Sequence, residues 1–159
     1  MLKISIVAPT YNQGGYIRDC IESVLSQNYN NWEHIIIDGG STDETISILN
    51  EYKHLKWISE KDSGAVNALN KGVKLSTGDV IGWLNSDDYY EKNIFQDVSN
   101  AFNELKDEFI CGNLNFVDKY KNLIKKDCTF KSDLNYLVHN NPYVIRTPAA
   151  FYSKNIIEK

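Results

Sequence analysis

The chain has 159 residues, of which 42% are hydrophobic and 24% are charged, and its formal net charge is −4. This composition predicts one globular domain with a substantial core, and the acidic balance, without a Lys/Arg run longer than two, argues against a nucleic-acid groove. The cysteines, Cys20, Cys111 and Cys128, are odd in number and widely spaced, which argues against a disulfide framework and a structural zinc site.

Strand-like and helix-like segments alternate along the first part of the chain. Short apolar runs predict strands, and apolar stripes with a helical period predict helices. In chain order these are a strand at 4–8, a helix at 17–25, a strand at 35–37, a helix at 46–52, a strand at 55–59, a helix at 65–75, a strand at 80–84 and a helix at 94–105.

Two of these helices carry start signals. The Ser41-x-x-Glu44 pattern predicts a capping box before the second helix. Asp62 or Ser63 is the predicted N-cap of the third helix.

The alternation predicts an α/β fold, a mostly parallel sheet with helices on both faces. After residue 108 the rhythm changes to a mixed β-region. There we expect one or two strands in 109–117, a strand in 123–130 that pairs with them, a weak helix at 132–139 and a last strand at 149–153.

Polar segments follow each of the first four predicted strands, at 9–15, 38–43, 60–64 and 85–88. In open α/β sheets, ligands bind outside the carboxyl ends of the strands, so these segments are expected to form one site. The chain contains neither GxGxxG nor GxxxxGK[ST], which counts against dinucleotide and P-loop functions.

The segment 85–88 carries two adjacent carboxylates, Asp87 and Asp88, directly after a buried strand. Neighbouring carboxylates repel each other unless a cation or protons compensate. Hard oxygen ligands of this kind suit Mg²⁺ or Mn²⁺, which share phosphate oxygens with the protein. The alternative is an Asx-rich turn before the helix at 94–105.

Two further segments fit a nucleotide site. Asp38 ends an apolar strand and precedes two glycines, so its carboxylate could accept from a base N–H or a ribose hydroxyl; the alternative is an ordinary turn Asp. The segment 62–72 enters a helix whose N-terminus would favour an anion, although an ordinary packed helix fits it as well.

Four segments together resemble the family 2 glycosyltransferases, in order and in spacing, over about residues 3–92: 5–12, 36–43, 69–79 and 84–89. The resemblance implies a GT-A fold, a divalent metal (Mn²⁺ or Mg²⁺), a nucleoside-diphosphate sugar donor and an inverting single displacement. It divides one domain, 1–159, into a nucleotide-sugar-binding half at 1–108 and the start of an acceptor-side half at 109–159.

The resemblance also implies roles for individual residues. Pro9, Thr10 and Tyr11 would border the base, which Asp38 would contact, and Asp87 would be the leading metal ligand with Asp88 beside it. The complete set of implied donor-binding residues is Pro9, Thr10, Tyr11, Asn12, Asp38, Gly39, Asp62, Gly64, Asn67, Asn85 and Ser86.

The sequence departs from the family pattern in two places. The usual pair of acids after the second strand is here Asp38-Gly39, and the usual Asp-x-Asp is here Asn85-Ser86-Asp87. The family places its general base after a segment like 147–152, so we expect the base beyond Lys159 and an incomplete acceptor side.

The partners expected from the resemblance are a nucleoside-diphosphate sugar, with UDP as the default nucleotide, and a glycan or lipid-linked acceptor. No signal peptide or membrane-spanning stretch is evident. We therefore expect a cytoplasmic protein, with attachment to the inner face of the membrane and self-association left open.

A nucleotide-sugar-binding module without catalysis remains the alternative. A response-regulator receiver is rejected because no acid follows the first strand, and a pyrophosphorylase because 11–15 has no arginine.

Overall fold

The computed structural model describes residues 1–105, 109–128 and 147–157. The strands are Ile4–Thr10 (β1), Trp32–Asp38 (β2), Lys56–Ser59 (β3), Val80–Trp83 (β4), Phe109–Cys111 (β5), Leu114–Val117 (β6), Leu123–Asp127 (β7) and Ala150–Ser153 (β8). The α-helices are Ile17–Leu25 (α1), Thr45–Glu51 (α2), Ala65–Leu75 (α3), Ile94–Leu105 (α4) and Lys154–Ile157 (α5), with a 3₁₀ turn at Thr147–Ala149. The helix expected at 132–139 lies outside the described residues.

Six strands form one sheet in the order β3-β2-β1-β4-β8-β5. The neighbours among β3, β2, β1 and β4 are parallel, whereas β8 runs antiparallel to both β4 and β5. Strands β6 and β7 form a separate antiparallel hairpin. The α/β prediction is confirmed, including the mostly parallel sheet and the mixed region after residue 108.

The larger part of the core covers one face of the sheet. Alternate residues of β1 (Ile4, Ile6 and Ala8) point into it, where α1, α2 and α4 pack. Most of the stripe on α1 that predicted a helix is buried, namely Ile17, Cys20, Ile21 and Val24, whereas its last residue, Leu25, is 42% exposed. This layer fixes the strand ends from which the polar loops emerge.

Helix α3 lies on the opposite face, where Ala68 packs with Ile35 and Ile37 of β2. Gly72 meets β1 so closely that a Cβ there would lie 2.2 Å from Cγ1 of Val7. The small residues therefore let α3 approach the sheet and bring its N-terminus to the edge where the strands end. Helices lie on both faces, as predicted.

Three further features of the described chain bear on its function. Cys20, Cys111 and Cys128 form no disulfide with one another. In the part of the chain that is described, none of the helices has the length and apolar character needed to cross a bilayer. A cavity of about 520 Å³ lies along β3, lined mainly by apolar residues and by none of the predicted site residues.

Candidate active site

The carboxyl ends of the parallel strands meet at one edge of the sheet. Thr10 is the register partner of Asp38, and Asp38 is in turn the partner of Ser59. Strand β4 ends three residues earlier along β1, where Trp83 pairs with Val7. The four polar loops therefore emerge side by side, as the sequence predicted.

Hydrogen bonds join the loop after β1 to the loop after β2. Asn12 has a left-handed backbone, with φ 51°. Its N–H donates to Ser41 Oγ at 2.8 Å, and its side-chain oxygen accepts from Thr42 N–H at 2.9 Å. The N–H of Gly14 donates to Asp43 Oδ2 at 2.9 Å. These hydrogen bonds join the two loops into one unit, and Asn12 contributes to it through both its backbone and its side chain.

The predicted capping box is wrong. The N-cap of α2 is Glu44, which makes no side-chain cap hydrogen bond. Instead Asp43 accepts from the N–H of Thr45 at 3.0 Å. Hydrogen bonds from Thr45 and from Gly14 N–H lower the pKa of Asp43. The Ser41 hydroxyl instead accepts from Asn12 N–H at 2.8 Å and donates to Asp38, so it does not cap α2.

Asp38 lies at the centre of this unit and is fully buried. Its Oδ2 accepts from the N–H groups of Gly40 and Ser41, at 3.0 and 2.9 Å, and from Ser59 Oγ at 2.7 Å. Its Oδ1 accepts from Ser41 Oγ. The carboxylate thus holds the ends of β2 and β3 together. Ser59 was not among the predicted site residues, and its place opposite Asp38 in the strand register is the signal that identifies it.

The loop between β3 and α3 carries Asp62, Gly64 and Asn67. The N-cap of α3 is Gly64, with φ 118°, and not Asp62 or Ser63 as predicted. Asp62 supports the turn instead, because its Oδ1 accepts from Gly64 N–H at 2.8 Å. Gly64 and Asn67 are exposed, and Asp62 is half-buried beside Gly39.

The loop after β4 carries the two adjacent carboxylates. Asp87 is exposed, Asp88 is half-buried and Ser86 is buried. Asn85 Nδ2 donates to Asp88 Oδ2 at 2.9 Å, and Asp88 N–H donates to the Asn85 carbonyl at 3.0 Å. Burial raises the pKa of Asp88, and the negative charge of Asp87 adds to this effect, against the hydrogen bond from Asn85. A cation bound here would relieve that unfavourable arrangement.

Buried groups that the sequence did not single out lie behind this loop. The hydroxyl of Tyr90 is buried and has no hydrogen-bond partner among the described residues. Its ring stacks on Phe151 and contacts the edge of Phe95. Burial raises the pKa of the Cys20 thiol, as do the charges of Asp88 and Asp87. Buried and largely apolar side chains therefore lie on the inner side of the two carboxylates.

The first strand contributes the remaining predicted residues. Pro9 and Thr10 are buried, and the Thr10 hydroxyl has no partner among the described residues. Tyr11 is 59% exposed, so its ring is open to a ligand. Within the described chain, no hydrogen bond joins the segment 85–88 to the unit formed by the other loops.

Comparison with known proteins identifies relatives over most of the chain. The family model described as "Glycosyl transferase family 2" matches residues 5–158. An uncharacterized glycosyltransferase of Rickettsia felis is 34% identical over 121 residues, 73% of this chain and 20% of the relative. The putative teichuronic acid biosynthesis glycosyltransferase TuaG of Bacillus subtilis is 38% identical over 96 residues, 57% of this chain and 38% of the relative.

Solved structures share the fold. S. aureus TarS 1–349 in complex with UDP-GlcNAc superposes with a TM-score of 0.77 at 20% identity, over 99% of this chain and 47% of TarS. The mannosyltransferase PcManGT of Pyrobaculum calidifontis, in complex with GDP-Man and Mn²⁺, gives 0.67 at 18% identity, over 99% of this chain and 46% of that protein. The chain thus spans less than half the length of these relatives and structures.

Proposed function

The chain belongs to glycosyl transferase family 2, and on that premise we propose that it binds a nucleoside-diphosphate sugar and transfers the sugar to an acceptor hydroxyl. The observation that carries the proposal is the convergence of the polar loops at one sheet edge, with Asp87 and Asp88 on one of them. That edge is where open α/β sheets bind their ligands.

The proposed donor is a UDP-sugar. TarS, which has the same fold, was solved with UDP-GlcNAc. PcManGT was solved with GDP-Man, so guanine is the competing base. Pro9, Thr10, Tyr11 and Asn12 would form the base side of the site, and the exposed ring of Tyr11 offers a face on which a base can stack.

A divalent ion fits the residues present. In the described chain, no three His, Cys, Asp or Glu side chains cluster as a metal site. Mg²⁺ and Mn²⁺ nevertheless often bind through one or two carboxylates, completed by water and substrate phosphate oxygens. Asp87, exposed at the edge, would be the leading ligand, with Asp88 beside it. When bound, the ion would neutralise charge on the diphosphate leaving group.

The proposed transfer is a single displacement with inversion. The acceptor hydroxyl oxygen forms a bond to the anomeric carbon while the bond from that carbon to the diphosphate oxygen breaks. The hydroxyl proton must pass to a base, and we assign none. Asp118, which lies further along the chain than Asp87 and Asp88, is engaged within its own turn, because its carboxylate accepts from Tyr120 N–H and from Asn122.

The acceptor is proposed to be a glycan or a lipid-linked glycan. TuaG, one of the relatives, carries a name that refers to teichuronic acid biosynthesis, which supports a polysaccharide pathway. A cytoplasmic location, attachment to the inner face of the membrane and self-association stay predictions.

The test is calorimetric titration of UDP, GDP and dTDP with and without Mn²⁺, repeated on Asp87→Ala. We expect metal-dependent binding of UDP that Asp87→Ala loses and that Glu104→Gln, an exposed change on α4, retains. If no nucleotide binds to the folded wild-type protein, the proposal is wrong. If UDP binds but the sugar of a UDP-sugar is neither hydrolysed nor transferred, the chain acts as a binding module. The absence of an assigned base would account for that result, since base assistance is worth about 10²–10⁴-fold.

A further inference from the structure

The carboxylate of Asp62 occupies the space next to Gly39. A Cβ placed on Gly39 would lie 3.4 Å from both carboxylate oxygens of Asp62. Gly39 itself is held at the end of the first strand, because its N–H donates to the Thr10 carbonyl at 2.9 Å. A carboxylate from another loop therefore lies beside the residue that follows Asp38.

Asp38 is already engaged within the protein. A carboxylate offers about four acceptor sites, and Asp38 already accepts four hydrogen bonds within the protein. It is also fully buried. The acceptor position that remains on Oδ1 is therefore not open to a nucleobase in this conformation.

Asp62 has the opposite properties. It is half-buried at the loop surface, and its Oδ1 is fixed by the N–H of Gly64 at 2.8 Å. Its Oδ2 accepts no hydrogen bond from any residue in the described part of the chain. The side chain is thus oriented by one oxygen and has the other available to a ligand.

We propose that Asp62, and not Asp38, is the carboxylate that accepts a hydrogen bond from the ring N–H of the donor's nucleobase. The inference rests on the proposed function. Uracil, thymine and guanine carry a ring N–H on their pairing edge, whereas cytosine and adenine have an unprotonated ring nitrogen there. A carboxylate would therefore select the first group and reject the second, and Asp38 would act as a positioning residue for the loop.

The discriminating variant is Asp62→Asn. The amide oxygen can still accept from Gly64 N–H, so the turn is kept, while the amide NH₂ replaces Oδ2. A donor at this position suits the ring nitrogen of cytosine and leaves the N–H of uracil without an acceptor. A hydrogen bond to a charged group is worth roughly 10- to 100-fold in affinity, and we expect Asp62→Asn to lose about that much of the preference for UDP over CDP.

A relocated carboxylate provides the matched test. Gly39 does not have a positive φ, unlike Gly40 and Gly64, so its backbone accommodates a side chain. Asp62→Ala should lose the preference for UDP, and the double variant Asp62→Ala/Gly39→Asp should recover part of it. Ser63→Ala, an exposed change in the same loop, should leave the preference unchanged.

The measurement is calorimetric titration of UDP and CDP into each variant, with folding checked by circular dichroism. An unchanged ratio of UDP to CDP affinity in folded Asp62→Asn would overturn this inference and leave the proposed function standing. Failure of the wild-type protein to bind any nucleoside diphosphate would overturn the proposed function and this inference with it. A lowered ratio that the relocated carboxylate restores supports both.

Discussion

Gly72 of α3 and Val7 of β1 are in direct contact, so close that a Cβ on Gly72 would lie 2.2 Å from Val7 Cγ1. Valine has a stiff χ1 and cannot easily rotate away. The contact sets the distance between α3 and the sheet, and so the position of the loop that carries Asp62. The close packing of Gly72 on Val7 therefore also affects the geometry of the site.

Gly72→Ala is predicted to destabilise the protein. Alanine in place of glycine inside a helix gains about 1 kcal/mol of helix propensity. Overpacking against a rigid neighbour costs about 1–3 kcal/mol, and the 2.2 Å approach places this site at the costly end of that range. We expect a net loss of about 1 kcal/mol or more in the free energy of unfolding, measured by urea denaturation.

Two variants check the cause. Gly15→Ala adds a Cβ that meets nothing within 4 Å, so its effect should be small. Val7→Ala removes the clashing atom, and the double variant with Gly72→Ala should be more stable than the sum of the single changes predicts. Additive effects of the two changes would contradict the proposed clash.

Glu33 lies near the amino end of β2, at the opposite edge of the sheet from the site, and is only 6% exposed. It accepts from Lys56 Nζ at 2.6 Å, Ser5 Oγ at 2.6 Å and Thr77 N–H at 2.6 Å, and it pairs with Lys3 at 3.1 Å. Because the two lysines are 31% and 57% exposed, solvent screens part of the attraction. We expect Glu33→Gln to lower the free energy of unfolding by about 2 kcal/mol.

The same network predicts acid sensitivity. Burial alone would raise the pKa of Glu33, but hydrogen bonds from Lys56, Ser5, Thr77 and Lys3 hold it well below the ordinary value of 4.5. The stabilisation is therefore present above pH 4.5 and is lost as the pH falls below it. Glu33→Gln should flatten the stability curve below pH 4.5, whereas Glu51→Gln, in an exposed pair with Arg18, should change it much less.

Much of this architecture was accessible from periodicity. Helix α3 has the predicted bounds, because its small residues and the polar loop before it mark both its packing face and its start. The capping box failed because Ser41 Oγ accepts from the N–H of Asn12, which lies 29 residues earlier in the chain and comes close only in the folded protein. The insertion of β8 between β4 and β5 is a non-local pairing that no local pattern specifies.

The site, too, has features that follow from local sequence patterns and others that depend on non-local pairing. The loops were predictable from strand ends alone, whereas the bonding of Asp38 and the placement of Asp62 over Gly39 depend on strand register. Register is a tertiary property, so residue types could not separate the buried carboxylate from the available one.

The buried His34 should give a second effect of pH on the stability of the protein, separate from that of Glu33. It is fully buried in β2, and neither ring nitrogen has a partner in the described part of the chain. Burial lowers the pKa of His34 from 6.5 to about 3, and the charge of His54 adds to this. The unfolded chain then binds a proton that the folded chain does not, so stability is full above pH 6.5 and falls below it.

The expected loss is about 1.4 kcal/mol per pH unit between pH 6.5 and 4.5, above the range in which Glu33 titrates. His34→Leu should lower the slope of the unfolding free energy with pH by the contribution of about one proton, while preserving stability at pH 7. Urea denaturation at several pH values measures both quantities. His54→Gln is the comparison, because burial lowers the pKa of His54 as well; an unaltered slope in His34→Leu would rule out the buried ring as its source.

Asp38→Asn tests whether the buried carboxylate organises the loop. The variant keeps the shape of the side chain but places an NH₂ group against donors, since Asp38 accepts from Gly40 N–H, Ser41 and Ser59 Oγ. Leaving buried donors unpaired costs about 1–3 kcal/mol, so we expect a loss of that size in the free energy of unfolding.

Nucleotide affinity should fall for UDP and CDP alike, with the ratio between them retained, because the whole loop shifts. Asp62→Asn should show the reverse, with stability retained and the ratio changed. A selective loss of UDP binding in a fully stable Asp38→Asn would instead assign base recognition to Asp38, and calorimetric titration alongside urea denaturation distinguishes the two results.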